Sequence, residues 1–353
     1  MKKVGILTIN DDTNYGNRLQ NYAVQEFCKK NNLKAETIHN QKDIIGIRVL
    51  KRKIGKIIKS FFKKYQRYNM FMRFNNNIKY SKYYIDDKHI PHKLSDKYDF
   101  FVTGSDQVWN PTFVRKMTDI DFLCFAEKNK RNSFSASFGI SEIPDNMKEY
   151  YKEKLNGLNN ISVREDRGKE IIEELTGRTD VEVLVDPTML LTAEEWDKIA
   201  KKPKQLKCDK YILNYFLGEL SESRKNEIDR IAKENNCEVI NILDKKSPFY
   251  QTGPSEFLYL EKNAFLICTD SFHSSVFAIL YNRPFIVFDR EDKEVKMNSR
   301  IETLINKFNL KNRKFEGKIT KENIEDDYTE AYQILEKERE KANNFLEKCL
   351  KDN

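Results

Sequence analysis

Hydrophobic and polar positions along this chain alternate between two periods. Short apolar runs, such as Val4-Gly5-Ile6-Leu7 and Phe100-Phe101-Val102, separate longer stretches in which apolar residues recur every three or four positions. The runs read as strands buried on both faces, and the longer stretches as amphipathic helices. A strand over 4–9, a polar loop over 10–17, a helix over 18–30 with Leu19, Tyr22, Ala23 and Phe27 on one face, and a strand over 34–38 make a βαβ unit. Such a unit implies a parallel sheet. Strands over 98–103, 132–138, 160–163 and 181–184 follow, with helices over 147–155 and 166–176 and a linking helix over 193–200. The polar stretch 201–210, with Pro203, reads as a joint. A second alternation comes after it: strand 210–215, helix 222–235, strand 238–242, helix 254–262, strand 264–269, a helix opening at Ser271, strand 284–288 and helix 299–308. A charged helix over 323–350 closes the chain and is long enough to pack back across a domain. The expectation is an α/β protein of two Rossmann-like βαβ domains, 1–200 and 201–318, with a C-terminal helix in 319–353. The two domains are expected to face each other across a cleft, with ligands at the strand C-termini.

Charge changes this picture at one place. The net charge is +8, yet residues 44–85 hold twelve Lys or Arg and no Asp or Glu, leaving the remainder at −4. Inside this segment Ile54, Ile57, Ile58, Phe61, Phe62 and Tyr65 follow helical spacing, with Lys53, Lys56, Lys59, Lys63 and Lys64 between them. A basic amphipathic insertion of this kind either docks on its own domain by the apolar stripe or lies on an anionic surface such as a membrane. No recognition motif accompanies the charge, which argues against nucleic acid. No apolar run approaches the roughly 20 residues needed to span a bilayer. The N-terminal apolar run is too short for a secretory core, so the expected location is cytoplasmic, with peripheral contact at the inner face of the membrane through 44–85 as one reading. Six cysteines are scattered without a CxxC pair and read as reduced thiols, so no metal site is expected.

Four polar loops each follow an expected parallel strand, where ligands of open α/β folds bind. In the first, Gly16 permits close backbone approach while Asn14 and Asn17 offer neutral donors and acceptors. In the second, Gly104-Ser105-Asp106-Gln107-Val108-Trp109-Asn110 gathers a hydroxyl, a carboxylate, amides and an indole, a set that suits a sugar. Equally, Ser105 and Asp106 could cap a helix and Trp109 could anchor it in the core. In the third, Arg164 offers a fork for carboxylate or phosphate, or an ion pair with Glu165 or Asp166. In the fourth, Asp270 and Ser271 can cap an apolar helix whose first turn holds Ser274 and His273, a titratable group beside an anion-attracting helix end. A capped, partly buried structural histidine is the alternative. Arg290 and Lys293 follow the next strand, and together with Arg164 and His273 they would serve a small, highly charged anion.

At these residues the sequence resembles the polysaccharide pyruvyl transferase family. The pieces that carry the resemblance are Asn14-Tyr15-Gly16, Gly104 to Asn110, Ser162-Val163-Arg164-Glu165, Asp186-Pro187-Thr188 and Thr269-Asp270-Ser271-Phe272-His273, in that order. The resemblance implies a GT-B-like fold and transfer of a pyruvyl group from phosphoenolpyruvate to two hydroxyls of a cell-surface glycan sugar, with no cofactor beyond that donor. It implies a donor site at Arg164, His273 and Lys293, with Ser271, Ser274 and Arg290 beside them. His273 is then the expected acid and Asp106 the expected base, while Asn14, Gly16, Asn17, Ser105, Gln107 and Trp109 are expected on the acceptor side. The acceptor partner is a sugar or lipid-linked oligosaccharide, and a homo-oligomer is compatible with the sequence. Members carry Arg-Leu-His where this chain has Ser271-Phe272-His273, so a cation is missing from the motif, and Arg290 and Arg300 are the candidates to replace it. A GT-B glycosyltransferase using a nucleotide sugar and a non-catalytic glycan-binding protein are the alternatives.

Overall fold

The N-terminal apolar run becomes β1 (Lys3–Leu7), whose last four residues are all buried. Its helix α1 (Tyr15–Lys30) starts three residues before the expected Arg18, because Asn14 caps it by accepting a hydrogen bond from the Asn17 backbone N–H. The computed structural model describes residues 1–11, 13–40, 66–112, 118–291, 299–325 and 327–351. They divide into two compact units, Met1–Leu191 with Lys337–Asn353, and Thr192–Glu336.

In the first unit, β2 (Lys34–Asn40), α2 (Gln66–Phe74), β3 (Tyr80–Ile85), β4 (Phe100–Thr103) and β5 (Arg131–Ser133) follow in chain order. The five strands form one sheet of order β3-β2-β1-β4-β5, and every pairing is parallel. The strand order reverses between β1 and β4, so the loops leaving those two strands border the crevice where ligands of doubly wound sheets bind. After α3 (Lys148–Asn156), the strands β6 (Ser162–Val163) and β7 (Glu182–Val183) flank α4 (Asp166–Thr176). Isolated parallel bridges, Asn132 to Asn160 and Ala136 to Val163, join this pair to the β5 side.

Two expectations need correction here. The basic segment 44–85 is not insertion throughout: its end forms α2 and the sheet-edge strand β3, whose Lys82 suits an exposed edge. The amphipathic pattern from Ile54 to Tyr65 lies outside the described residues. The strand expected over 132–138 stops at Ser133. Beyond it the hydroxyls of Ser135 and Ser137 bond Val185 O and Glu165 Oε1, so side chains replace part of the ladder.

The second unit opens with α5 (Ala193–Asp197), capped reciprocally by Thr192 and Glu195. There follow β8 (Tyr211–Tyr215), α6 (Glu222–Glu234), β9 (Glu238–Asn241), α7 (Pro254–Asn263), β10 (Leu266–Thr269), α8 (Phe272–Leu280), β11 (Phe285–Val287) and α9 (Ser299–Lys307). Its parallel sheet has the order β11-β10-β8-β9, which places the reversal between β8 and β10. Ile228, Ile231 and Ala232 of α6 bury against Ile212, Leu266 and Cys268 of the sheet. The closing helix α10 (Thr329–Lys351) contributes to both units: Tyr332 Oη donates to Leu280 O, whereas Arg339 Nε and Nη2 donate to Met189 O and Leu191 O. Among the described residues, no helix is long and apolar enough to cross a membrane.

Candidate active site

The loops beyond β1 and β4 meet in a buried polar network. Gly104 opens the second loop at φ +124°, and a side chain there would run into the Phe134 carbonyl, so only glycine fits. Ser105 is fixed on both sides: its N–H donates to Gln20 Oε1, and its carbonyl accepts from Thr8 Oγ1. Asp106 sits in the left-handed region at φ +66°, a conformation that short polar residues tolerate best. Its carboxylate accepts from Arg164 Nη2 at 3.1 Å and from Asn17 Nδ2 at 3.3 Å. Arg164 Nη1 meanwhile donates to Asp186 Oδ2 at 2.7 Å, the same oxygen that accepts from Ser105 Oγ. Glu165 lies 4.0 Å from Arg164 Nε and takes Ser137 Oγ, Phe138 N and Gly139 N on Oε1. The Arg164 side chain is fully buried. Burial would pull its guanidinium down, but Asp186, Asp106 and Glu165 outweigh that and hold it above the ordinary arginine value.

This geometry sorts the expected residues of the first unit. Asp106 and Gln107 keep a small exposed fraction, and Asn14 is exposed. Trp109 is no sugar platform: it is fully buried, lies parallel to Phe122 at 5.7 Å, and donates its indole N–H to Asp121 O. Ser105 is likewise fully buried, and Gly16 is the second residue of α1, not part of a loop cradle. Asn17 serves the interior, taking Asp11 N and Arg18 Nη2 on its Oδ1. Arg164 is a cation held between carboxylates. Asp186 was absent from the expected site, although Asp186-Pro187-Thr188 is an N-cap signature. The residue caps the turn Pro187–Leu190 by accepting from Thr188 N and Oγ1.

In the second unit the reversal point falls at the start of α8. Asp270 does not cap that helix. Its carboxylate takes Leu217 N, Gly218 N and Arg290 Nε at 2.7, 2.8 and 3.0 Å, tying together the loops beyond β8, β10 and β11. Ser271 is the N-cap by backbone conformation, and its side chain makes no capping bond. The helix end therefore keeps its partial positive charge uncompensated by a cap. His273 stands in this first turn, 8% exposed, with its ring edge-on to Phe272 at 5.3 Å. The Arg300 guanidinium lies 5.9 Å from the Phe272 ring centre. Arg290 thus bonds Asp270 and Arg300 lies near Phe272, the two residues next to Ser271 in the chain. Ser274 faces the interior instead: fully buried, it donates to the buried Glu261 at 2.6 Å. Lys293 lies outside the described residues.

The profile of the polysaccharide pyruvyl transferase family matches residues 14–292, which span the network of the first unit and the helix start of the second. The chain belongs to the polysaccharide pyruvyl transferase family. This pyruvyl transferase family member shares its fold with UDP-N-acetylglucosamine 2-epimerase from Rickettsia bellii. The TM-score is 0.52 at 14% identity, over 100% of this chain and 96% of that one. UDP-GlcNAc 2-epimerase from Methanocaldococcus jannaschii aligns at 15% identity and TM-score 0.47, over 95% and 92% of the two chains. At 14% identity the likeness to the Rickettsia bellii protein concerns the fold alone, a GT-B-like fold with two Rossmann-like domains. No protein of curated function matches the transferase chain.

Proposed function

We propose that this transferase moves the pyruvyl group of phosphoenolpyruvate onto two hydroxyls of a glycan sugar, giving a cyclic ketal and inorganic phosphate. The observation that carries the reading is His273 in the first turn of a helix without a side-chain cap, whose start also holds Asp270, bonded to Arg290, and Phe272, near Arg300. Phosphoenolpyruvate joins a carboxylate and a phosphate on one enol carbon, so it calls for cations on two sides and a helix end between them. His273 gives a proton to the methylene carbon, making the adjacent carbon electrophilic. One sugar hydroxyl adds there. The carbon–oxygen bond to phosphate then breaks, and a second hydroxyl closes the ketal. Arg290 and Arg300 balance the charge that gathers on the leaving phosphate. His273, having given up its proton, takes one back from the first hydroxyl, and the proton of the second leaves on the phosphate.

Calorimetry with phosphoenolpyruvate, beside UDP-, GDP- and CMP-sugars, tests the donor. The expected result is saturable phosphoenolpyruvate binding that Arg290→Ala and Arg300→Ala weaken. His273→Gln is expected to retain donor binding while turnover falls by about 10²-fold or more, the usual scale for losing a general acid. Nucleotide-sugar binding with no response to phosphoenolpyruvate would hand the site to a glycosyltransferase.

A further inference from the structure

The loops leaving β8, β10 and β11 are tied at one carboxylate. The Asp270 side chain is 4% exposed. Its Oδ1 accepts from Leu217 N at 2.7 Å, and its Oδ2 from both Gly218 N at 2.8 Å and Arg290 Nε at 3.0 Å. The Nε, Cζ and Nη atoms of an arginine lie in one plane, so a bond at Nε sets the direction of the whole fork. The backbone on either side of Arg290 is held as well. Arg224 of α6 donates through Nη1 to Asp289 O and pairs through Nε with Glu291 at 3.1 Å. Glu291 also accepts from Ser221 N and Ser221 Oγ, each at 3.1 Å. Arg290 is thereby anchored at its own side chain and at both of its chain neighbours.

A carboxylate at an anion site works against the ligand's charge unless it has another task there. Ordering a long cationic side chain before the ligand arrives is such a task, since less rotamer freedom is then lost on binding. We infer that Asp270 is the positioning residue of the donor site: it does not touch the donor, and it sets the direction in which the Arg290 guanidinium meets the donor's anionic group. The inference rests on the reading of the α8 start as an anion site, and it assigns the one carboxylate that this reading leaves without a role. The task needs two acceptor oxygens. An amide offers one, and turns its own N–H groups towards a donor, so Asp270→Asn removes the anchor with little change of volume.

A double-mutant cycle read by phosphorus-31 NMR titration of the full chain tests the inference, with phosphoenolpyruvate and, separately, with inorganic phosphate. Asp270→Asn and Arg290→Ala are each expected to weaken binding about tenfold or more, the scale of a hydrogen bond to a charged group. The double variant should bind within about twofold of Arg290→Ala, because without the guanidinium Asp270 has nothing to position. Asp270→Asn combined with Arg300→Ala should instead show the product of the two losses. Losses that multiply in the Asp270–Arg290 cycle would make Asp270 a loop anchor alone and overturn the inference, as would parent-like binding by Asp270→Asn. A circular dichroism melt checks that each variant folds. Should Asp270→Asn fail to fold, Asp270→Glu takes its place in the cycle, since it keeps the charge and displaces the oxygens by one methylene. Coupling seen with phosphate, but no binding of phosphoenolpyruvate, would support the role of Asp270 and overturn only the donor reading. A parent that binds neither anion would overturn both.

Discussion

Arg164 shows how much one side chain's surroundings decide. Local sequence leaves a ligand clamp and an ion pair equally open, and the fold gives the guanidinium to Asp106 and Asp186 with no exposed surface. Removing the arginine strands two carboxylates in the interior. Breaking a buried pair by deleting one partner costs about 3–5 kcal/mol, a large part of the stability of an ordinary domain. Arg164→Ala is therefore expected to lose that much in urea denaturation. Arg164→Lys should recover only part of it, since an ammonium cannot fork between two carboxylates. A loss below about 1 kcal/mol, the scale of an exposed pair, would show that the network does not hold this loop. The same geometry makes Arg164→Ala a poor probe of donor binding, and Arg290 and Arg300 better ones. Cysteine burial follows the same logic: Cys28 is buried and its thiol is pushed up to about 12, which makes it an inert packing residue.

Between elements, the bond from Ser274 on α8 to Glu261 on α7 sets how the His273 helix sits on its neighbour. Burial holds the Glu261 carboxyl well above the usual range, with the Ser274 hydroxyl pulling the other way. Folded Glu261 thus keeps its proton where the unfolded chain, with an ordinary value of about 4.3, has released it. Its stabilising contribution is complete below that value and is lost as pH rises through the raised folded value. Glu261→Gln keeps the acceptor for Ser274 and removes the titration. As pH rises above about 5, the variant's melting temperature should therefore gain on the parent's until the folded carboxyl ionises. Parallel curves would mean that Glu261 is ionised in the folded state. The elements themselves were legible in the chain because helical and strand periods are local. β3 is not legible in the chain because Tyr80, Lys82 and Tyr84 continue the pattern of the basic segment before them. The start of α1 moved because a cap depends on one side chain, Asn14.

For the molecule as a whole, the end of α10 is a structural part of the N-terminal unit. Ala342, Phe345, Leu346 and Cys349 are buried, Phe345 packs near Phe134, and Lys341 Nζ donates to Val183 O. Phe345 and Leu346 alone bring about 1.5–3 kcal/mol each, against about 5–15 kcal/mol for a whole domain. A chain ending at Glu336 should lose the cooperative unfolding of that unit, read by urea denaturation and limited proteolysis; an unchanged transition would contradict the packing. The sequence by itself determined the α/β alternation, the family motifs and the place of His273 at a helix start, since each depends on neighbours a few residues away. Only the tertiary structure decided which polar groups meet. Asp106 and Arg164 are 58 residues apart, and Asp270 and Leu217 are 53 apart. The second pair meets because the parallel sheet sets the ends of β8 and β10 side by side at its reversal point, and the first because the bridge from Ala136 to Val163 brings the end of β6 to the β5 side of the other sheet. Trp109 and Ser274 went to the interior for the same reason: burial is set by what packs across a strand or helix, which local periodicity does not encode.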